Sequence, residues 1–424
     1  MSNQFKLTQK VANTFLMILK NQLVMGKITS SEYSEEFGQK KMQIGDTLTV
    51  RRPPSFVVSD GPTFKNQDVV VGSATVKIDK QKHIGFTYSD LERALSVDNA
   101  LEDATLNAKM AALAQQIDSD GMAQVLKFSQ WVGTPGQVIN SAIDFNEMPK
   151  RLDNLAVPQT DRNAVLAVDD WWATAGSFTG NNFFDNDITK SALQRARLPM
   201  LGSVQPYMSQ SVLALTTGTR TASGVIQVNG ASQNVDYSTV RDTYVQNLNI
   251  KGLTVGWTIK AGEVFSIAGV YAVNPRTHQA MNYLQQFVVM SDFTAAAATG
   301  TISVSFPIII PDASDTTTAR TNTAFSTCNS APADSAAITF QGTASTPYTQ
   351  NAAFHKSAIQ YVFVKPPRPH TGEFEYATDP ETGISIRLWA FSDGSADTHA
   401  YRADVIYGVE NLDPRLGTRG SGLA

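Results

Sequence analysis

The chain has 424 residues, 42% of them apolar and only 17% charged, below the roughly 25% charged residues of an average soluble protein. A formal net charge of −4 excludes a general nucleic-acid binder held by phosphate neutralisation. The single cysteine, Cys328, excludes an internal disulfide and a cysteine-built metal site.

The length exceeds one compact domain, so two or three are expected. The low charge suits a surface that is buried against copies of itself. The first apolar stretch is VANTFLMILKNQLVMG, Val11 to Gly26. Asn13, Lys20, Asn21 and Gln22 interrupt it, and it falls short of the ~20 apolar residues that a membrane span needs. Val11, Phe15, Ile18, Leu19 and Leu23 share one helical face, which predicts an amphipathic helix in a soluble, intracellularly made protein. DTLTVRRPPSFVVSDGPTF, Asp46 to Phe64, reads as a strand ended by Pro53-Pro54, with Asp60-Gly61-Pro62 as a turn. Val69 to Ser89 reads as two strands meeting at Asp79–Gln81. Together these segments predict a long β-hairpin arm with little core of its own.

Ser89 or Asp90 then caps a helix running to near Phe128. Leu91, Leu95, Leu101, Leu113, Ile117, Val125 and Leu126 keep its phase, and its expected length is roughly 50–60 Å. WVGTPG, Trp131 to Gly136, closes it. From Ala142 to Gly218, SAIDFNEMPKRLDNL and ITKSALQRARL read as helices and NAVLAVDDW and LGSVQPYMSQSVLAL as strands, an α+β pattern.

From Gly218 to about Gln350 the chain turns to Thr, Ser, Gly, Ala and Val. GVIQVNG, TYVQNLNIKG, EVFSIAGVYAV, QQFVVMSDF, GTISVSFPIII and AAITFQG are strand candidates separated by turn residues, which predicts a small all-β barrel or sandwich. Pro307 places its strand at an edge or bulge, and Asp312–Arg320 reads as a surface loop. QYVFVKPPRP and GISIRLWAFSDG then resume the earlier style, so the β-rich block is inserted within another domain.

Catalytic signatures are missing from the sequence. It has no phosphate loop, no Gly-x-Gly-x-x-Gly after a strand, no His-Glu-x-x-His and no Gly-x-Ser-x-Gly elbow. GTRGSG, Gly417 to Gly422, reads as a loose tail. His370, Glu373 and Glu375 could hold a cation or form a solvated strand edge. Asp169-Asp170-Trp171-Trp172 is either a carboxylate pair beside a sugar-stacking platform or a helix cap followed by buried tryptophans. Cys328 has no basic neighbour to activate it. Lys6, Lys10, Lys20 and Lys27 precede the first acid, Glu32. They form either the solvated face of the first helix or a docking surface for an acidic partner. Arg51 and Arg52, at the base of the arm, serve either solvation or an intersubunit charge contact.

Four stretches carry a resemblance across the chain: GFTYSDLERAL (Gly85 to Leu95), ITKSALQRARLPMLGSVQPYMSQSV (Ile188 to Val212), IKAGEVFSIAGVYAVNPRTHQAMNYLQQFVV (Ile259 to Val289) and ISIRLWAFSDGSADTHAYRADVIYGVENLDPRLG (Ile384 to Gly417). In this order they resemble the major capsid proteins of tailed bacteriophages, with the Hong-Kong-ninety-seven-like fold. The P-twenty-two-type coat proteins of short-tailed phages, which carry an inserted β-barrel, are the most similar.

The resemblance implies an α+β fold divided into an N-terminal helical arm (1–45), an extended β-hairpin arm (46–88), a spine helix and peripheral domain (89–141), the first part of an axial body domain (142–217), an inserted β-barrel (218–350), and closing body strands with a C-terminal tail (351–424). It implies a non-enzymatic protein without cofactors or a membrane role. Hexamers and pentamers would form an icosahedral shell, of triangulation number seven, around double-stranded DNA without sequence-specific binding. A scaffolding protein and a portal at one vertex are the implied partners. The protein would be a virion component assembled in the bacterial host cytoplasm. A charged loop pairing across a two-fold axis is also implied, with Tyr237 to Asp242, including Arg241 and Asp242, as the nearest match. The alternatives are an encapsulin-like nanocompartment shell and a carbohydrate-binding phage structural protein.

Overall fold

Residues 3–31, 47–59, 61–62, 65–89, 103–180, 198, 200–220, 226–312, 314, 316–380, 382–393 and 398–424 are described by the computed structural model. The chain divides into two compact units, Met1–Leu48, Thr75–Met122 and Ile359–Glu410 forming the first and the remainder the second.

In the first unit, helix α1 (Asn3–Gln22) buries Ala12, Phe15, Leu16 and Leu19 against the strands Glu373–Thr378 and Ser385–Asp393. Of the expected face, Phe15, Leu19 and Leu23 are buried and Ile18 is half-buried. The helix is therefore part of its own unit's core. The sheet beneath it is antiparallel. Glu373–Thr378 pairs with Ser385–Asp393, which pairs with Thr398–Asn411, which in turn pairs with Lys80–Ser89; Ile359–Val364 is the other neighbour of Thr398–Asn411.

Helix α2, the expected spine, runs Asp103–Val125, about 35 Å at 1.5 Å per residue. Its expected first turns, 90–102, lie outside the described residues. Met110, Leu113, Ala114, Ile117 and Met122 are buried along it. Gly121 sits inside the helix at a cost of ~1 kcal/mol because a Cβ there would strike the Tyr361 hydroxyl, which donates to the Ile117 carbonyl at 2.9 Å.

The expected hairpin within Val69–Ser89 is corrected. Ser73–Lys77 pairs with Thr47–Arg51, whereas Lys80–Ser89 pairs with Thr398–Asn411. Ala74, Val76 and Ile78 are all buried, so the strand's alternation continues through Ile78 and the chain changes sheets instead of reversing.

The second unit holds a five-stranded sheet in the order Gln130–Val132, Gly417–Gly420, Asn351–His355, Arg162–Leu166, Val204–Met208. The outermost pair at each side is parallel and the two inner pairs are antiparallel. Helices α3 (Ala142–Asn154) and α4 (Val168–Gly180) supply Phe145, Met148, Leu152 and Trp171 to its core. Ser141 caps α3 by accepting the Asp144 N–H at 3.1 Å. The ITKSALQRARL helix expected next lies outside the described residues except for Leu198.

All six strands expected after Gly218 form one sheet, in the order Ile338–Phe340, Val264–Val273, Ala280–Val289, Thr299–Ser305, Val245–Lys251, Gln227–Val228. Its two ends meet. Val228 N–H donates to Ala336 and Ile338 N–H donates to Ile226, each across the remaining seam. The sheet is thus a closed barrel, which removes exposed edges. Phe265 packs between Phe287 and Phe340 at centroid distances of 5.6 and 5.2 Å.

Three further expectations are corrected. Pro307 lies past the end of an interior strand, after Phe306 turns at φ 70°, and not at an edge or bulge. The Asp312–Arg320 loop leads into a helix, Thr317–Ala324, capped when Thr316 accepts the Ala319 N–H at 3.2 Å. The C-terminal GTRGSG is no loose tail: Gly417–Gly420 is a buried interior strand.

Candidate assembly surfaces

Sequence and structure together define four regions with exposed, adhesive or charged groups: the first helix, the arm base, the body helices and the root of the barrel. Lys6 and Lys10 belong to α1, but their side chains lie outside what is described. Lys20 is half-buried and its Nζ pairs with Asp379 at 3.1 Å. Burial would raise the Asp379 carboxyl, but hydrogen bonds from Thr382 and Lys20 hold it below the usual range. Lys27 is exposed and donates to the Asn21 carbonyl at 3.2 Å.

The same unit carries a carboxylate that no sequence signal marked. Asp118 is 3% exposed and accepts the Val24 and Met25 N–H groups at 2.8 and 2.9 Å. It ties α2 to the turn after α1. Burial pushes its carboxyl up to about 6, against the pull of those backbone donors.

The arginine pair divides. Arg51 is exposed, whereas Arg52 is 7% exposed. Arg52 Nε donates to the Leu412 carbonyl at 3.0 Å and Nη1 to the Arg241 carbonyl at 2.7 Å. Its guanidinium lies 4.7 Å from the Tyr244 ring centroid, and that of Arg415 lies 5.5 Å from the same ring. Arg241 and Asp242 form an exposed ion pair at 3.3 Å. Asp242 also accepts the Ser73 hydroxyl at 2.7 Å and the Ser73 N–H at 3.0 Å, and the hydroxyl contact lowers its carboxyl most. Two charged pairs singled out separately in the sequence therefore meet within one chain.

Above that base the arm exposes apolar side chains. Phe56 is 52% exposed, Val58 90% and Val69 66%, while Val57 and Val70 pack on the barrel core. On the body helices Ile143 and Trp172 are exposed. Asp170 is buried and accepts from Ile139 N–H at 2.7 Å and Asn351 Nδ2 at 2.8 Å, whereas Asp169 is exposed. The two carboxylates part company, so they form no catalytic pair. Trp171 is core, as a helix-cap reading requires, but Trp172 is not.

The barrel root is polar and buried. Glu263 pairs with Arg220 and accepts the Gly218 N–H at 2.7 Å. Gln286 clasps the Trp131 backbone, accepting its N–H at 2.7 Å and donating to its carbonyl at 2.9 Å. Arg419, fully buried, donates to the Phe128 and Gly262 carbonyls and to Gln350 Oε1. Burial lowers its guanidinium to about 9. Cys328 is buried, and burial pushes its thiol up to about 12. His370 and Glu373 are exposed, and among the described residues no group of three or more His, Cys, Asp or Glu could hold a metal.

Comparison with known proteins gives this architecture its context. A family model described as P22 coat protein - gene protein 5 matches residues 1–422. A major capsid protein of Acyrthosiphon pisum secondary endosymbiont phage 1 is 21% identical over 431 residues, covering 97% of this chain and 96% of that protein. Among solved structures, one from Mycobacterium phage Che8 has a TM-score of 0.46 and 12% identity, covering 94% of this chain and 90% of that one. The CUS-3 coat protein I-domain has a TM-score of 0.20 and 24% identity, covering 28% of this chain and 95% of that domain. The match over residues 1–422 settles the family: the chain belongs to the P22 coat protein family and is a phage major capsid protein, a structural protein and not an enzyme.

Proposed function

We propose that this coat protein assembles as hexamers and pentamers into an icosahedral shell of triangulation number seven around double-stranded DNA. A scaffolding protein directs assembly in the bacterial host cytoplasm, and a portal occupies one vertex. The observation that carries the reading is the coat-family match along the chain. The arm supports it, with Phe56, Val58 and Val69 exposed on a segment far too small to bury them itself. A net charge of −4 fits a shell that releases its DNA, since a lining that gripped phosphates would oppose ejection. Co-expression with the scaffolding protein, followed by negative-stain microscopy, should give closed shells of uniform diameter. A strictly monomeric protein under all conditions would contradict the reading.

The first helix and the turn that follows it are the proposed scaffold-docking element, through Lys6 and Lys10 on the helix and Lys27 just after it. Lys20 is engaged by Asp379, so a charge reversal there would disturb the fold itself. Lys10→Glu combined with Lys27→Glu should lower scaffold-directed shell yield at least tenfold and leave the monomer's circular dichroism unchanged. Normal yield would remove the helix from the docking role. Arg51, exposed at the arm base, and the exposed Arg241–Asp242 pair are further candidates for an intersubunit charge contact.

A further inference from the structure

The arm's base is held by the inserted barrel of its own chain, from several directions at once. Arg52 donates to the Arg241 carbonyl and lies over Tyr244. Arg52 N–H also donates to the Gly72 carbonyl at 2.8 Å, closing the two sides of the base on each other. Gly72 is buried, and a Cβ there would collide with the Arg241 carbonyl and approach the Tyr237 hydroxyl. Ser73 is held through both its N–H and its hydroxyl by Asp242. Further out, Val57 and Val70 rest on the barrel core, and Arg320 Nη1 donates to the Asn66 carbonyl at 3.2 Å. Within the arm, Gln67 accepts the Val57 N–H at 3.0 Å and donates to the Ser55 carbonyl at 3.3 Å. The alternation of the sequence then leaves Phe56, Val58 and Val69 facing away from the barrel.

We propose that the Tyr237–Asp242 segment of the barrel is a latch that sets the arm's direction in the free monomer, so that its apolar outer face is presented ready-made to a second copy of this chain. Presetting a segment that must otherwise be ordered on association removes part of the entropic cost of binding. The latch also gives the inserted barrel a role inside its own chain. The assembly half of this inference rests on the shell reading above, but the latch itself is a property of the monomer and is tested there.

Ser73→Cys with Asp242→Cys places two thiols where a hydroxyl and a carboxylate now touch, and the native Cys328 is buried. The folded monomer should form this cross-link on mild oxidation, read as loss of two titratable thiols. The oxidised monomer should then assemble with scaffold to within twofold of the reduced yield. Absence of the cross-link in a monomer with native circular dichroism would overturn the latch. A cross-link that blocks assembly until reductant is added would also overturn it, because the arm would then have to leave the barrel to work. Should the double variant fail to fold, Asp242→Ala and Arg52→Ala provide an independent reading by limited trypsinolysis. Cleavage after the exposed Lys65 should accelerate at least threefold in each monomer, and an unchanged rate would refute the latch without bearing on shell formation.

Discussion

The inserted barrel and the body sheet share one unit but are held together in different ways. The barrel's six strands come from one continuous stretch, 227–340, around one large apolar cluster of Phe265, Phe287, Ile302, Val304, Ile338 and their neighbours, with Gln246, Gln285, Gln286 and Ser305 also buried on its strands. The body sheet joins segments as distant as Gln130–Val132 and Gly417–Gly420. Around it Arg162, Gln130, Asn351, Thr418 and Arg419 are buried. Apolar burial is non-directional and forgiving, whereas buried polar groups must each be satisfied. The barrel should therefore tolerate change outside itself, and the body should depend on a few polar residues and on the last strand.

The contrast can be attacked from either side. Phe287→Ala removes the Phe265–Phe287 ring contact inside the barrel and should cost about 3–5 kcal/mol. The loss should appear in a barrel transition during denaturant unfolding while the body's signal stays in place. Arg419→Met is the matching change in the body. It leaves the Phe128 and Gly262 carbonyls without their donor and should cost about 2–4 kcal/mol, read mainly in the body transition because only the Gly262 contact reaches the barrel root. A variant as stable as the parent would mean that the buried guanidinium contributes nothing to the sheet.

The smallest effect extends the comparison to the first unit, where Asp118 is a buried carboxyl raised to about 6. A carboxyl raised in the fold favours the neutral form. Its contribution to stability is complete below the unfolded value near 4 and is lost as pH rises through about 6. Relative to Asp118→Asn, the parent should therefore gain up to about 3 kcal/mol between pH 7 and pH 4. A flat difference across that window would place the Asp118 carboxyl in its ordinary range.

The same contrast explains what could be read without coordinates. Barrel strands announce themselves by short β-branched runs between Gly, Asn and Pro, and each finds its partner nearby. The first helix was equally legible, because Phe15, Leu19 and Leu23 hold a 3.6-residue period. The C-terminal strand was not, because glycine and arginine look like solvated tail. Its glycines are there for packing: a Cβ on Gly417 would enter the Phe128 ring, and one on Gly420 would strike Met148. Both neighbours are more than 250 positions away in sequence, beyond the reach of any local pattern.

Arg52 was equally hard to place from local pattern, since its acceptors within the chain are the distant carbonyls of Leu412 and Arg241. The Tyr237–Asp242 segment was read only as a charged loop, and its contact with the arm through Ser73 could not be seen in the sequence because the two lie 169 positions apart. Pairing of the arm strands was misread because the turn at Asp79 is chemically a turn but not a reversal.

Hydrogen exchange by mass spectrometry on the Arg419→Met chain tests the central contrast most directly. Amides of Arg162–Leu166 and Asn351–His355 should exchange roughly 30-fold faster or more, following from a loss of about 2 kcal/mol. Amides of Val245–Lys251 and Val264–Val273 should keep the parent's protection. Equal acceleration in both sets would mean that barrel and body open as one cooperative unit, and would contradict the account.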